Sequence, residues 1–479
     1  MALLTFKGGI HPDDGKRLSK DKAIVEVKPS GDLVYPLSQH IGAPASPIVA
    51  VGERVLRGQK IAEAGGFVSA PIYASVSGTV KAIAPHFNPT GAKVNSIVIE
   101  NDGEYEEVEF KPVKPLEEMT KEDILAAIGE AGVVGMGGAG FPTKVKLSPK
   151  EPEKIEYIIA NCAEWEPYIT ADYRRMLETP ELLVGGMKVI LSLFDNAKGI
   201  FGVEDNKPDC IEKLKELTKD EPRMEVMALK TKYPQGAERQ LIYATTGRAI
   251  NSKMLPADAG CVVDNVETII NVYNAVAKGI PSMERVVTVS GDAVKEPGNF
   301  KALFGMNQME LIEAAGGFKT EPEKVISGGP MMGFAMFTLD VPVTKTSSAI
   351  LCFTKDEVAA LEPSACINCG NSSVIGFSGV YSVCYCFDNA NDNCYRDSND
   401  EQKYDYCHNA ILIGVKTHFL FGRLGALRGS SVLNRSCAVL HGSAILRGSC
   451  AVLRGSCTVL YRTVCGSIVV IVVQDIPPK

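Results

Sequence analysis

Polar and apolar residues alternate along residues 30 to 100. The stretch "VAVGERVLRGQKIAEAGGFVSAPIYASVSGTVKAI" has the period of two that half-buried strands need, and it is broken at Gly52, Gly58, Gly65, Gly66 and Gly78, where turns are expected. The pattern changes after a charged connector, "NDGEYEEVEFKPVKPLEEMTKED". Ile124, Leu125 and Ile128 have helical spacing, and that helix ends in glycine. From about 120 to 275, helical patterns alternate with the apolar runs "KIEYIIAN", "KGIFGVED" and "MEVMALK". Such alternation predicts an α/β layer with a largely parallel sheet. Residues 285 to 340 predict a strand, a Pro-Gly turn and a short glycine-ended helix, which suits a small β-grasp-like module. After 370 the texture breaks. A polar, acidic stretch, 388 to 407, precedes a degenerate repeat ("LRGSSVL", "NRSCAVL", "RGSCAVL", "RGSCTVL") that could stack as a crude β-solenoid. The same bias toward Arg, Gly, Ser, Cys, Val and Leu arises when DNA is read in a shifted frame.

The pattern V-x-x-G-x-x-I followed by A-P-x-x-x-x-x-x-G-x-V, in residues 49 to 80, resembles the barrel-sandwich fold of biotinyl and lipoyl carriers. A carrier exposes a lysine on its central hairpin; "GFVSAPIYAS" has none, so the module reads as structural. A length of 479 residues leaves room for two to four domains. The net charge of −7 argues against a nucleic-acid partner, which would need a basic face. Lys7 interrupts the N-terminus before an apolar signal core forms, and the longest apolar run, "IVVIVV" at 468 to 473, falls far short of the ~20 residues of a membrane span. No transmembrane segment is expected.

The stretch richest in candidate chemistry is "GVVGMGGAGFPTKVKL", 132 to 147. Gly135, Gly137, Gly138 and Gly140 follow a helix, and bare backbone amides in such a loop can cradle a phosphate, with Lys144 and Lys146 adding positive charge. A tight structural turn is the plainer alternative. "NCAEWEPYITADYR" gathers Asn161, Glu164 and Glu166 after an apolar run, a pattern suited to hydroxyl recognition, or simply to a solvated loop. "YPQGAERQLIYATTGR" carries Glu238 and Arg239 beside a glycine. "VVDNVETIINV" sets Asp264, Asn265, Glu267 and Thr268 between apolar runs, which helix capping alone could explain.

Taken together, "FKGGIHP", "PLSQHIGAPASPIVAVGERVLRGQ", "GMGGAGFPTKVK", "NCAEWEPYITADY", "EDNKP", "KYPQGAERQLIYATTGR", "DNVET" and "ISGGPMMG" occur in the order and spacing of the RnfC component of the Rnf electron-transport complex. The resemblance covers about residues 1 to 370, and its core also resembles the flavin-bearing subunit of respiratory complex I. It implies a multidomain α/β protein. A barrel-sandwich hybrid would span 1–112, a Rossmann-like FMN/NADH domain 113–280 and an SLBB-like β-grasp domain 281–345. The start of a ferredoxin-like domain would fall at 346–370, followed by an atypical tail at 371–479. It further implies FMN as cofactor, NAD(H) and ferredoxin as redox partners, and the other subunits of a membrane complex that couples electron transfer to ion translocation. The chain would then sit peripherally on the cytoplasmic face. Carried onto this sequence, Gly135, Gly137, Gly138 and Gly140 would line the flavin, with Lys146 near its phosphate. Asn161, Glu164 and Glu166 would face flavin and nicotinamide nucleotide, Glu238 would lie across the cleft, and Asn265 and Thr268 would contact the flavin. No side chain need act as general acid or base. Relatives carry cysteine or a small residue where this chain has Trp165. A cobalamin reductase of the microcompartment type and a non-enzymatic docking scaffold are the competing readings.

The family's two [4Fe-4S] clusters are expected to begin at Cys366-x-x-Cys369. A bacterial-type cluster has the spacing C-x2-C-x2-C-x3-C-P. Here Ser372 and Gly376 stand at the next two ligand positions, and no Cys-Pro follows. Ten of the 14 cysteines lie between Cys366 and Cys465, but Cys384, Cys386, Cys394 and Cys407 have the wrong spacing, and zinc binding through these or His408 stays open. The favoured reading is that the family pattern stops near Gly370 and the clusters are not assembled.

Overall fold

A computed structural model describes residues 3–356, apart from 113 and 252, and beyond them only the backbone of short strands. Cys366 and Cys369, the expected start of the cluster motif, lie outside the described residues. In the tail, Arg435–His441 pairs antiparallel with Ala444–Cys450, and Cys457–Val464 with Ser467–Gln474. These are antiparallel pairs, whereas a solenoid would stack its turns in parallel.

The first strand, β1 (Ile24–Glu26), belongs to a sheet completed much later in the chain. Next come β2 (Leu33–Pro36), β3 (Ser46–Pro47), β4 (Arg54–Val55), β5 (Lys60–Glu63), β6 (Ile72–Tyr73), β7 (Gly78–Phe87) and β8 (Lys93–Asn101). They form two sheets, ordered β2-β8-β7-β4 and β3-β5-β6. The alternation of polar and apolar residues buries Leu33, Tyr35, Ile61, Ile72, Val80, Ile97 and Ile99 between them. The β5–β6 connection presents Phe67, 85% exposed.

The central module contains α1 (Lys121–Glu130), α2 (Thr143–Lys146), β9 (Tyr157–Cys162), α3 (Ala171–Glu178), α4 (Pro180–Ser192) and β10 (Lys198–Glu204). It continues with α5 (Pro208–Thr218), β11 (Met224–Leu229), α6 (Glu238–Thr246), β12 (Cys261–Asn265) and α7 (Val266–Lys278). A reciprocal cap starts α1: Asp123 N donates to Thr120 Oγ1 and Thr120 N to Asp123 Oδ2. The four strands are parallel, in the order β11-β10-β9-β12. Alternate side chains serve opposite faces. Ile158, Ala160, Phe201 and Val262 pack under α1, α4, α5 and α7, while Ile159, Ile200, Leu229 and Val263 pack under α6.

The third sheet has the order β1-β14-β13-β17-β15-β16, built from β1 with β13 (Glu284–Ser290), β14 (Gly298–Leu303), β15 (Lys324–Ser327), β16 (Phe334–Ala335) and β17 (Ala349–Phe353). Helix α8 (Gln308–Ala314) covers it through Leu311 and Ile312. Strand β17, between β13 and β15, lies where the resemblance begins a ferredoxin-like domain, and β1 comes from the segment expected in the barrel-sandwich. No helix among the described residues is long and apolar enough to cross a membrane.

Candidate functional site

The strand order reverses between β9 and β12: β9 is followed outward by β10 and β11 on one side, and by β12 on the other. Open parallel sheets bind ligands outside the carboxyl ends of their strands at such a switch point. Asn161 and Asn265 are register partners there, at the last rung of the β9–β12 pair. Three helices, α3, α6 and α7, begin near this edge and turn their positive ends toward it.

The glycine loop lies against the same edge. Its ends pair as a small hairpin, with Val134 bridging Pro142 and Gly135 N donating to Phe141 O at 2.8 Å. Gly137, Gly138 and Ala139 are exposed between them. A Cβ on Gly137 would stand 2.8 Å from Asn265 Cβ, so the loop rests directly on the cap of α7, whereas a Cβ on Gly138 would meet nothing within 4 Å. Gly140 turns the chain at φ +74 and packs against Gln39 and His40 of the barrel-sandwich. Met136 N donates to Thr268 Oγ1 at 2.9 Å. The amides of Gly135 and Met136 are therefore spent within the protein.

Asn265 caps α7 by accepting from Glu267 N at 2.9 Å, and its amide donates to Asp172 Oδ2 at 2.6 Å. Asn161 Nδ2 donates to Gly236 O at 2.8 Å. Lys146 Nζ donates to Val263 O and pairs with Glu238 at 3.4 Å and Asp264 at 3.5 Å. Burial would weaken that ammonium, but the two carboxylates hold its pKa above the usual lysine value. Glu164 and Glu166 turn toward protein groups. Glu164, at φ +46, accepts from Asp172 N at 2.7 Å and Tyr173 N at 3.3 Å, capping α3, with the buried Lys16 ammonium 3.8 Å away. Glu166 Oε2 accepts from Met331 N at 3.0 Å, and a Cβ on Gly329 would fall 2.0 Å from that oxygen. Burial raises the Glu166 carboxyl to about 7, against the opposing pull of the Met331 amide and Lys16. Trp165 lies over Gly236, where an added Cβ would stand 2.0 Å from the indole, and it packs against the cluster under α6.

Several groups in this neighbourhood carry no clear signal in the sequence. Asp172, inside a quoted motif, is raised to about 7 by burial and by the carboxylates of Glu164 and Glu267, with Arg285 and the Asn265 bond opposing. Lys16 reaches the site from the N-terminal segment just beyond "FKGGIHP", where the mixed charge of "HPDDGKRL" does not single it out. Arg285 and Lys345 have none beyond being cations beside apolar runs. Several buried polar atoms at this edge have no protein partner: Glu166 Oε1, Trp165 Nε1, Gln235 Nε2 and Asp264 Oδ2. An exposed glycine turn, three helix N-termini and orphaned polar atoms are what a phosphorylated, hydrogen-bonding cofactor would use.

Family models match three segments: the RnfC barrel sandwich hybrid domain at residues 4–104, the Nuo51 FMN-binding domain at 128–274 and the SLBB domain at 286–335. The class is thus a modular flavin-domain protein, with the switch-point site inside the FMN-binding-domain match. The chain is 48% identical over 370 residues to the C subunit of the proton-translocating ferredoxin:NAD(+) oxidoreductase complex of Clostridium ljungdahlii, covering 77% of this chain and 80% of the relative. It is 45% identical over 367 residues to the C subunit of the Na(+)-translocating ferredoxin:NAD(+) oxidoreductase complex of Acetobacterium woodii, covering 76% and 83%. The C subunit of the ion-translocating oxidoreductase complex of Pseudomonas aeruginosa is 39% identical over 377 residues, covering 78% of this chain and 49% of the relative. The chain belongs to the RnfC family, the C subunits of Rnf-type ion-translocating oxidoreductase complexes.

Proposed function

We propose that the chain binds FMN at the carboxyl edge of its Rossmann-like sheet and exchanges electrons with NAD(H) as a peripheral subunit of a membrane complex that couples ferredoxin and NAD chemistry to ion translocation. The observation that carries this reading is the exposed Gly137–Gly138 turn resting on Asn265 at the switch point, within the FMN-binding-domain match. Bound FMN would supply two-electron exchange with NADH and one-electron exchange with other acceptors. The chain's own residues bind and orient. The amides of Gly137 and Gly138 and the N-terminus of α7 would hold the phosphate end, with Gly135 and Gly140 shaping the loop. Asn161 and Asn265 would fix the flavin side, while Thr268, expected from the resemblance to touch the flavin, is fully buried and would act from behind by holding the Met136 amide. Lys146 and Glu238, already an ion pair, would form the opposite wall, and Glu164 would act from behind by capping α3. Glu166 would meet the nicotinamide nucleotide through its unpartnered oxygen. In the domain plan, the barrel-sandwich and FMN/NADH modules occupy 1–112 and 113–280, and the β-grasp module starts at 281 and runs past the expected 345 to include β17, with β1 joining its sheet. Electron flow onward would be impaired, because Ser372 and Gly376 replace two thiolates after Cys366 and Cys369. The complex would hold the chain on the cytoplasmic face.

Absorbance of the purified full-length chain tests this. A flavin spectrum that NADH bleaches under anaerobic conditions, without a broad iron–sulfur band, is expected. Failure to retain or reduce flavin overturns the FMN reading, and a reducible cluster signal overturns the reading of the tail.

A further inference from the structure

Two buried basic side chains from outside the central module grip the glycine loop from behind. Arg285, the second residue of β13 and 3% exposed, donates from Nη1 to Met136 O at 3.1 Å and to Lys345 O at 2.7 Å. Lys345, 1% exposed, donates from Nζ to Gly132 O at 2.7 Å and to Pro71 O of the barrel-sandwich at 2.8 Å. Its own backbone amide donates to Gln39 Oε1 at 3.1 Å. The Met136 side chain is fully buried in the core of the third module, beside Val287, Phe304 and Val343. The loop is therefore pinned at Gly132 and at Met136, on the side away from its exposed turn.

The pinning sets the direction of a specific donor. In a trans peptide the C=O and the following N–H point to opposite sides. With Met136 C=O drawn inward to Arg285, the N–H of Gly137 must point outward, from a residue that is itself exposed. Thr268 takes the Met136 amide, so Gly137 is the first residue of the turn whose N–H faces away from the protein. A guanidinium on the carbonyl also polarises that peptide, while the nearby carboxylates of Glu267 and Asp172 offset part of its charge, so its contribution is chiefly the direction it gives the loop.

We propose that Arg285, supported by Lys345, is a positioning residue for flavin phosphate: it holds the glycine loop so that the Gly137 amide is presented to the anion, making the third module part of the phosphate site. This rests on the FMN reading above.

The test compares FMN with riboflavin, which lacks only the phosphate, on the full-length chain stripped of flavin. Wild type should bind FMN more tightly than riboflavin. Arg285→Met should lose ~10-fold or more in FMN affinity with riboflavin affinity changed by less than ~3-fold, each tenfold step being 1.4 kcal/mol. Arg285→Lys, which keeps the charge but not the forked donor geometry, should recover part of the ratio. If Arg285→Met does not fold, Arg285→Lys decides: a reduced FMN-to-riboflavin preference supports the proposal. An unchanged preference in whichever variant folds overturns it. A wild type that does not prefer FMN overturns instead the placement of the phosphate on this loop.

Discussion

Replacing Gly137 and Gly138 separately by alanine divides the two demands on the glycine loop. Neither residue has positive φ, so backbone strain does not enter. At Gly137 the new Cβ would lie 2.8 Å from Asn265 Cβ and 3.1 Å from its Cγ, distances at which something must move. Asn265 is tied to Glu267 N and Asp172, and Met136 is tied to Arg285, Thr268 and an apolar core, so neither side yields freely. Overpacking of this kind costs about 1–3 kcal/mol, and disturbing the cap of α7 adds about 1 kcal/mol. Gly137→Ala should therefore lower the melting temperature, at roughly 2–4 °C per kcal/mol for the module. Gly138→Ala meets nothing, and its stability should stay within about 0.5 kcal/mol of wild type. If FMN approaches the open side of the turn, Gly138→Ala should nonetheless weaken FMN binding, because the methyl group projects into the space the ligand would take. The assays are thermal unfolding of the flavin-free chain and flavin titration of both variants. A Gly138→Ala protein that binds FMN as tightly as wild type would refute the assignment of that surface to the phosphate.

Lys146→Met leaves the Asp264 carboxylate, 1% exposed, without its cation; chemical denaturation should show a loss of about 3–5 kcal/mol, largely restored in the Lys146→Met/Asp264→Asn double variant, and equal losses in single and double variants would contradict the pairing. Glu166 gives a pH signature. Its folded value of about 7 lies above the unfolded 4.5, so the folded form binds the extra proton and stability from this group falls as pH rises from about 5 to 8. The stability gap between Glu166→Gln and wild type should therefore widen over that window by on the order of a few kcal/mol, and a constant gap would remove the argument. Trp165, the chain's single tryptophan, lies on Gly236, whose carbonyl accepts from Asn161. FMN binding should quench its emission saturably at one equivalent; unchanged emission from a chain whose absorbance shows bound flavin would place the flavin away from Asn161.

The sequence alone carried what depends on neighbours along the chain. Period-two alternation marked the strands of the first module, helical spacing of Ile124 and Ile128 marked α1, and the alternation of helices with apolar runs announced a parallel sheet. The glycine turn was legible too, because bare backbone is a property of residue type. What only the tertiary structure decided is which groups face one another. Two carboxylates in "AEWEP" read as ligand-facing, yet Glu164 turns back to cap α3 through Asp172 and Tyr173, and Glu166 gives one oxygen to the Met331 amide of a distant motif, because a buried carboxylate takes the nearest donors and spacing along the chain does not say which those are. The Asn161–Asn265 rung, the arrival of β1 and β17 in the third sheet, and the grip of Arg285 and Lys345 on the glycine loop all join residues far apart in the chain. Local periodicity reports which face of an element is buried; the partner that buries it is chosen by packing across the whole fold.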